Sequence, residues 1–105
     1  TVILTDHSLP TEVALHNAYP NPFNPTTMIE YDIPSEMYVN LSIYDIRGAL
    51  VEELVNENML HGDYYVAWTA KNMSSGIYFI SIITEEFSQT NKLMLINNIF
   101  IIPVN

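Results

Sequence analysis

Three prolines, Pro20, Pro22 and Pro25, fall in one short segment and constrain this chain more than any other feature. Each fixes its own φ and lacks a backbone donor, and each pushes the residue before it toward an extended conformation. The segment 17–27 is therefore expected to run stretched along a surface, with Tyr19 and Phe23 free to dock, and to release the chain into a strand at about Thr27.

Beyond that point the pattern is that of short strands. Residues 27–33 alternate, with Met28, Glu30 and Asp32 on one face and Ile29, Tyr31 and Ile33 on the other, as a half-buried strand does. Pro34 to Glu36 reads as a turn. Val39, Leu41 and Ile43 alternate with Asn40 and Ser42, and Asp45 to Gly48 closes a hairpin, with Gly48 suited to positive φ. Residues 12–18, 63–69, 76–84 and 87–96 read as further strands, with Trp68 the central aromatic of the second. In 49–60 the apolar residues Leu50, Val51, Leu54, Val55 and Met59 fit helical spacing, and the period alone favours a helix there. Strands of this length and spacing predict an all-β chain, an antiparallel β-sandwich of about seven strands.

The chain is long enough for one core and has no cysteine, so neither a disulfide nor a thiolate site. Twelve acids against three bases (Arg47, Lys71 and Lys92) give a net charge of −9, which argues against nucleic acid and anionic membrane as partners. Charged residues make up only 14% of the chain, below the usual quarter, so the surface is expected to be apolar or covered by neighbours. No apolar run is long enough for a membrane span, and no signal peptide is visible. The first residue is Thr1 rather than Met, which leads us to expect a processed chain or a fragment of a longer protein, with both ends held by partners.

No catalytic constellation and no cofactor motif is present, so an enzyme is not expected. His7, His16 and His61 are far apart and lack ligand spacing, and the expectation is that no metal is bound, since zinc ligands usually cluster in sequence. The acidic pairs Glu52, Glu53 and Glu85, Glu86 lack the calcium-loop pattern and read as a solvated face and a solvated turn. The tyrosines and Trp68 read as buried sandwich aromatics, although a row of exposed ones would suit a glycan-binding module. Asn40 and Asn72 each begin an N-glycosylation pattern, Asn72 being the better placed of the two because it falls in a loop.

Several of these residues also carry a resemblance. The run Asn17, Tyr19, Pro20, Asn21, Pro22, Phe23, Asn24 and Pro25 resembles the opening motif of the C-terminal domains that direct proteins through the type IX secretion system. Tyr44, Asp45 and Gly48 are similar to that family's strand and turn. Trp68 stands where the family places a Trp, and Gly76 with Tyr78 resembles its Ser-Gly-Val-Tyr-Phe strand start. Residues 92–96 are similar to its closing strand. The resemblance covers about residues 12–97 and implies an Ig-like fold, found also in the flagellar hook-capping protein, with a strand over about 49–56. It further implies a role in sorting or anchoring a larger secreted protein, with the outer-membrane machinery as partner.

These readings divide the chain into an N-terminal extended segment, 1–11, an Ig-like sandwich, 12–97, and a surplus apolar strand, 98–105. In the surplus strand Ile99 and Ile101 face one way and Phe100, Ile102 and Val104 the other, and a strand apolar on both faces wants cover on both. Burying five such side chains gains on the order of 8–15 kcal/mol. Ordering their backbone costs on the order of 7–14 kcal/mol, so a preformed groove is needed. Val2, Ile3 and Leu4 form a similar run. The function expected first is an extracellular or cell-surface structural module that polymerises with copies of itself by strand donation. The sorting domain implied by the resemblance is the alternative.

Overall fold

The computed structural model describes residues 10–97. The end runs Val2 to Leu4 and Ile99 to Val104, with the strand donation assigned to them, lie outside the described residues, as does His7. The described residues form seven strands: β1 (Ala14–Leu15), β2 (Thr26–Ile33), β3 (Met37–Tyr44), β4 (Leu50–Met59), β5 (Gly62–Thr69), β6 (Gly76–Ile83) and β7 (Ser88–Leu95). They form two sheets, ordered β1-β2-β5 and β4-β3-β6-β7, with every named pair antiparallel. The architecture is the all-β antiparallel sandwich that the strand spacing predicts.

Alternation explains which side chains meet between the sheets. Ile29, Tyr31 and Ile33 of β2 face Val39, Leu41 and Ile43 of β3 and Ile80 and Ile82 of β6, all of them buried. Leu93 and Leu95 close the β7 side. At one end three aromatics lock together: the Trp68 ring lies 5.5 Å from Phe23 and 5.8 Å from Tyr78, centroid to centroid, both at steep angles. Trp68 Nε1 donates to Glu52 Oε1 at 3.1 Å. That bond ties β5, the edge of one sheet, to β4, the edge of the other.

The helical spacing in 49–60 has a different origin. Against β3, β4 slips register twice: Leu41 pairs with Val55 but Ser42 with Glu53, and Ile43 pairs with Glu52 but Tyr44 with Leu50. Leu54 and Val51 are the extra residues of two bulges. Each bulge resets the two-residue alternation, so Val51, Leu54, Val55 and Met59 all pack against the core while their spacing imitates a helix. The strand is also longer than the 49–56 that the resemblance implied.

The first strand is shorter than expected. Only Ala14 and Leu15 form strand against β2, opposite Asp32 and Tyr31. Beyond them the backbone stays beside β2 through separate contacts, His16 N donating to Glu30 O and Tyr19 bridging to Met28, while side chains of β7 bond to its carbonyls. Gln89 Nε2 donates to Leu15 O at 3.0 Å and Asn91 Nδ2 to His16 O at 3.4 Å.

The turn after β3 is built as predicted. Gly48 has φ +85°, and its N–H donates to Asp45 O at 2.9 Å. Asp45 Oδ1 accepts from the N–H groups of Arg47 and Ala49, both at 2.9 Å. A Cβ on Gly48 would touch nothing, so Gly48→Ala is expected to cost only the backbone strain, about 1 kcal/mol, read from urea denaturation. The hydrogen bonds from Ala49 above all, opposed by slight burial, hold the Asp45 carboxyl below its ordinary value of 3.8. A carboxyl lowered on folding stabilises above its unfolded pKa and loses that contribution as pH falls through the folded one. Asp45→Ala should therefore lower Tm near neutral pH, and the gap to the parent should narrow as pH is taken below 3.8.

Candidate recognition surface

The proline segment is bent rather than stretched, with turns of the chain at Pro20 to Pro22 and again at Asn24 and Pro25. The reason is that it crosses from one sheet to the other and is fastened to both. Tyr19 exchanges two backbone hydrogen bonds with Met28 of β2, each 3.0 Å. Pro20 O accepts from Thr27 Oγ1 at 2.8 Å. Asn21 then acts on β7 as a strand residue would: its Oδ1 accepts from Met94 N at 2.9 Å and its Nδ2 donates to Lys92 O at 3.0 Å. Phe23 continues along the same edge, donating to Met94 O and accepting from Ile96 N, both at 2.9 Å. Pro25 O accepts from Ala70 N at 2.9 Å. Phe23 is 2% exposed, a core residue, whereas Tyr19 is 80% exposed. Asn17, Pro20, Pro22 and Asn24 face solvent.

Asn21→Ala removes both side-chain bonds to β7 and leaves Met94 N and Lys92 O to water. We expect a loss of about 1–3 kcal/mol together with faster amide exchange along 92–96, read by hydrogen–deuterium exchange.

Of the remaining motif residues, Trp68 is buried, and Gly76 begins β6 at φ 150°, a backbone conformation that residues with a side chain rarely adopt. Tyr78 is 7% exposed, its hydroxyl donating to Ser74 O at 2.8 Å. Tyr44 lies on the outer face of the four-stranded sheet opposite Phe79, next to the Asp45 turn. Asn40 sits mid-strand with its amide engaged: it donates to Glu53 at 3.1 Å and Asn56 at 3.3 Å and accepts from Ser42 Oγ at 2.7 Å. Asn72 stands exposed in a turn at φ 59°.

Tyr19 belongs to a larger face. On the outside of the three-stranded sheet the register sets side chains in rows: Ala14, Asp32 and Asp63; then His16, Glu30 and Tyr65; then Tyr19, Met28 and Ala67. One end is apolar, with Tyr19, Met28 and Tyr65 substantially exposed. The other end is acidic. There His16 Nε2 meets Asp32 Oδ2 at 2.8 Å, and that hydrogen bond, opposed by partial burial, raises the imidazole above its usual 6.5. The Asp32 carboxyl facing Asp63 across the strand pair raises Asp63, and the negative field of Glu30 raises Tyr65. Sequence alternation placed Glu30 and Asp32 on one face. What it lacked was the cross-strand register that adds His16, the residue after β1, and Asp63 from β5.

A model of the secretion system C-terminal sorting domain matches residues 17–97, nearly the whole described sandwich. The chain belongs to this family. The match begins at Asn17, where the proline segment begins, and runs through the closing strand β7. This is the type IX secretion family that the motif residues resemble. No curated protein matches the chain. Within this sorting domain the opening motif is committed almost entirely to holding the two sheets together, and Tyr19 is its one large side chain left to solvent.

Proposed function

We propose that the domain is the C-terminal address of a larger secreted protein, read by the type IX secretion machinery and carried with its cargo to the cell surface or beyond. It performs no catalysis itself. Residues 12–97 form the folded body of the signal, and the outer face bearing Tyr19, Met28 and Tyr65 is the part that the machinery reads. The family match over 17–97 carries the reading. The 80% exposure of a tyrosine inside an otherwise structural motif supports the choice of face. Large aromatics left in the open are favoured contact residues, because they present wide apolar area at low entropic cost.

Filament formation by strand donation rests on residues outside the described ones and draws nothing from the family match. The sorting reading therefore stands in its place.

The test is a fusion of the full chain behind a soluble reporter, expressed in a bacterium with a type IX system. We expect the reporter in the medium or on the cell surface, and its retention in the periplasm when the machinery is disabled. Export that survives loss of the machinery, or retention of a fusion whose domain is folded and protease-resistant, would overturn the reading.

A further inference from the structure

We propose that His16, Glu30 and Asp32 form a binding site for a divalent transition-metal ion of the zinc class, pinning β1 to β2 on the outer face of the three-stranded sheet. Each of the three offers one ligand atom, and these atoms lie within 4.8 Å of one another. Two N/O ligand atoms on a tetrahedral zinc ion are separated by about 3.4 Å, so the side chains must rotate inward to close the site. The imidazole selects the metal: carboxylates alone suit calcium or magnesium, whereas an imidazole added to them favours zinc and its neighbours.

Two further features set this cluster apart from an ordinary ion pair. First, the contact to His16 uses only Asp32 Oδ2. Asp32 Oδ1 is buried and meets no hydrogen-bond donor. An unpaired buried carboxylate oxygen is costly, and a bound cation removes the cost. Second, the charge does not balance. Asp63 lies directly across from Asp32, so three carboxylates surround one imidazole. Arg47 lies in the β3–β4 turn, Lys71 in the β5–β6 loop and Lys92 on β7. Among the described residues neither a Lys nor an Arg pairs with these acids. A dication in place of the proton between His16 and Asp32 supplies the missing positive charge.

The site would also act where the sheet is weakest. β1 has two residues and two register partners, and an ion held by His16, the residue after β1, and by Glu30 and Asp32 of β2 fastens the end of β1 to β2 without lengthening the ladder. A metal that binds only the folded state raises stability by mass action.

The experiment is calorimetric titration of the full chain, stripped with chelator, with zinc chloride and separately with calcium chloride, alongside thermal melts. We expect one zinc ion per chain, a higher Tm in zinc that chelator reverses, and no comparable response to calcium. Asp32→Asn and His16→Gln should each weaken zinc binding at least about tenfold and lose the Tm response, while Glu86→Gln, in the β6–β7 turn, keeps both. Circular dichroism verifies that each variant is folded, and a variant that is not is replaced by Glu30→Gln at the same site. No heat with zinc, equal responses to zinc and calcium, or zinc binding undiminished in Asp32→Asn and His16→Gln would each overturn the proposal.

Discussion

Trp68→Ala should remove about 3–5 kcal/mol of folding stability, a large share of the total of about 5–15 kcal/mol that holds a domain of this size folded. The ring fills the space between Phe23 and Tyr78 and is 1% exposed. Truncation leaves a void whose lining belongs to three separate pieces of chain: the proline segment, β5 and β6. None of them can close it alone, because Phe23 is fixed by two backbone bonds along β7 and Tyr78 by its hydroxyl on Ser74. Trp68→Phe keeps much of the ring and loses the bond to Glu52. It should cost clearly less, and Glu52→Gln less still, since that carboxylate is exposed and exposed polar contacts contribute little. This is the only tryptophan in the chain, so the series is followed by circular dichroism in urea rather than by fluorescence. A Trp68→Ala protein within about 1 kcal/mol of the parent would show that the aromatic cluster is not what joins the sheets at this end.

The same cluster marks what was legible in the sequence. Alternation in β2 and β3 named the inward residues correctly, because both strands turn one apolar face to the core and carry no bulge of their own. Gly48 and Asp45 announced their turn because only certain residue types satisfy its backbone. β4 misled for a physical reason: two bulges on an edge strand shift the phase of the pattern twice in ten residues, and a phase-shifted alternation is hard to tell from a helix by spacing. The proline segment misled differently. Proline chemistry favours extended backbone locally, but the path of 17–25 is set by Asn21 and Phe23 completing the edge of β7, more than seventy residues later. The acidic cluster was illegible for the same reason, since His16, Asp32 and Asp63 meet only once β1, β2 and β5 are in register.

Tyr19→Ser should separate recognition from folding. Its ring is almost wholly in solvent, and its part in the fold is made by backbone atoms, the pair of bonds to Met28, which serine retains. Stability should therefore move by no more than about 0.5 kcal/mol. If the machinery reads this face, export of a reporter fused ahead of the chain should fall to about a tenth or less, the scale on which truncating an aromatic contact residue lowers affinity. Met28→Ser, its neighbour in the same row, should act in the same direction more weakly, being roughly half as exposed at 44%. Phe23→Ala provides the contrast. It should lose about 3–5 kcal/mol and fail to export because the signal no longer folds, with intracellular degradation as its signature. A Tyr19→Ser fusion that is folded and exported at the parental level would move the recognition surface elsewhere, most directly to the outer face of the four-stranded sheet around Tyr44 and the Asp45 turn, while leaving the family assignment untouched.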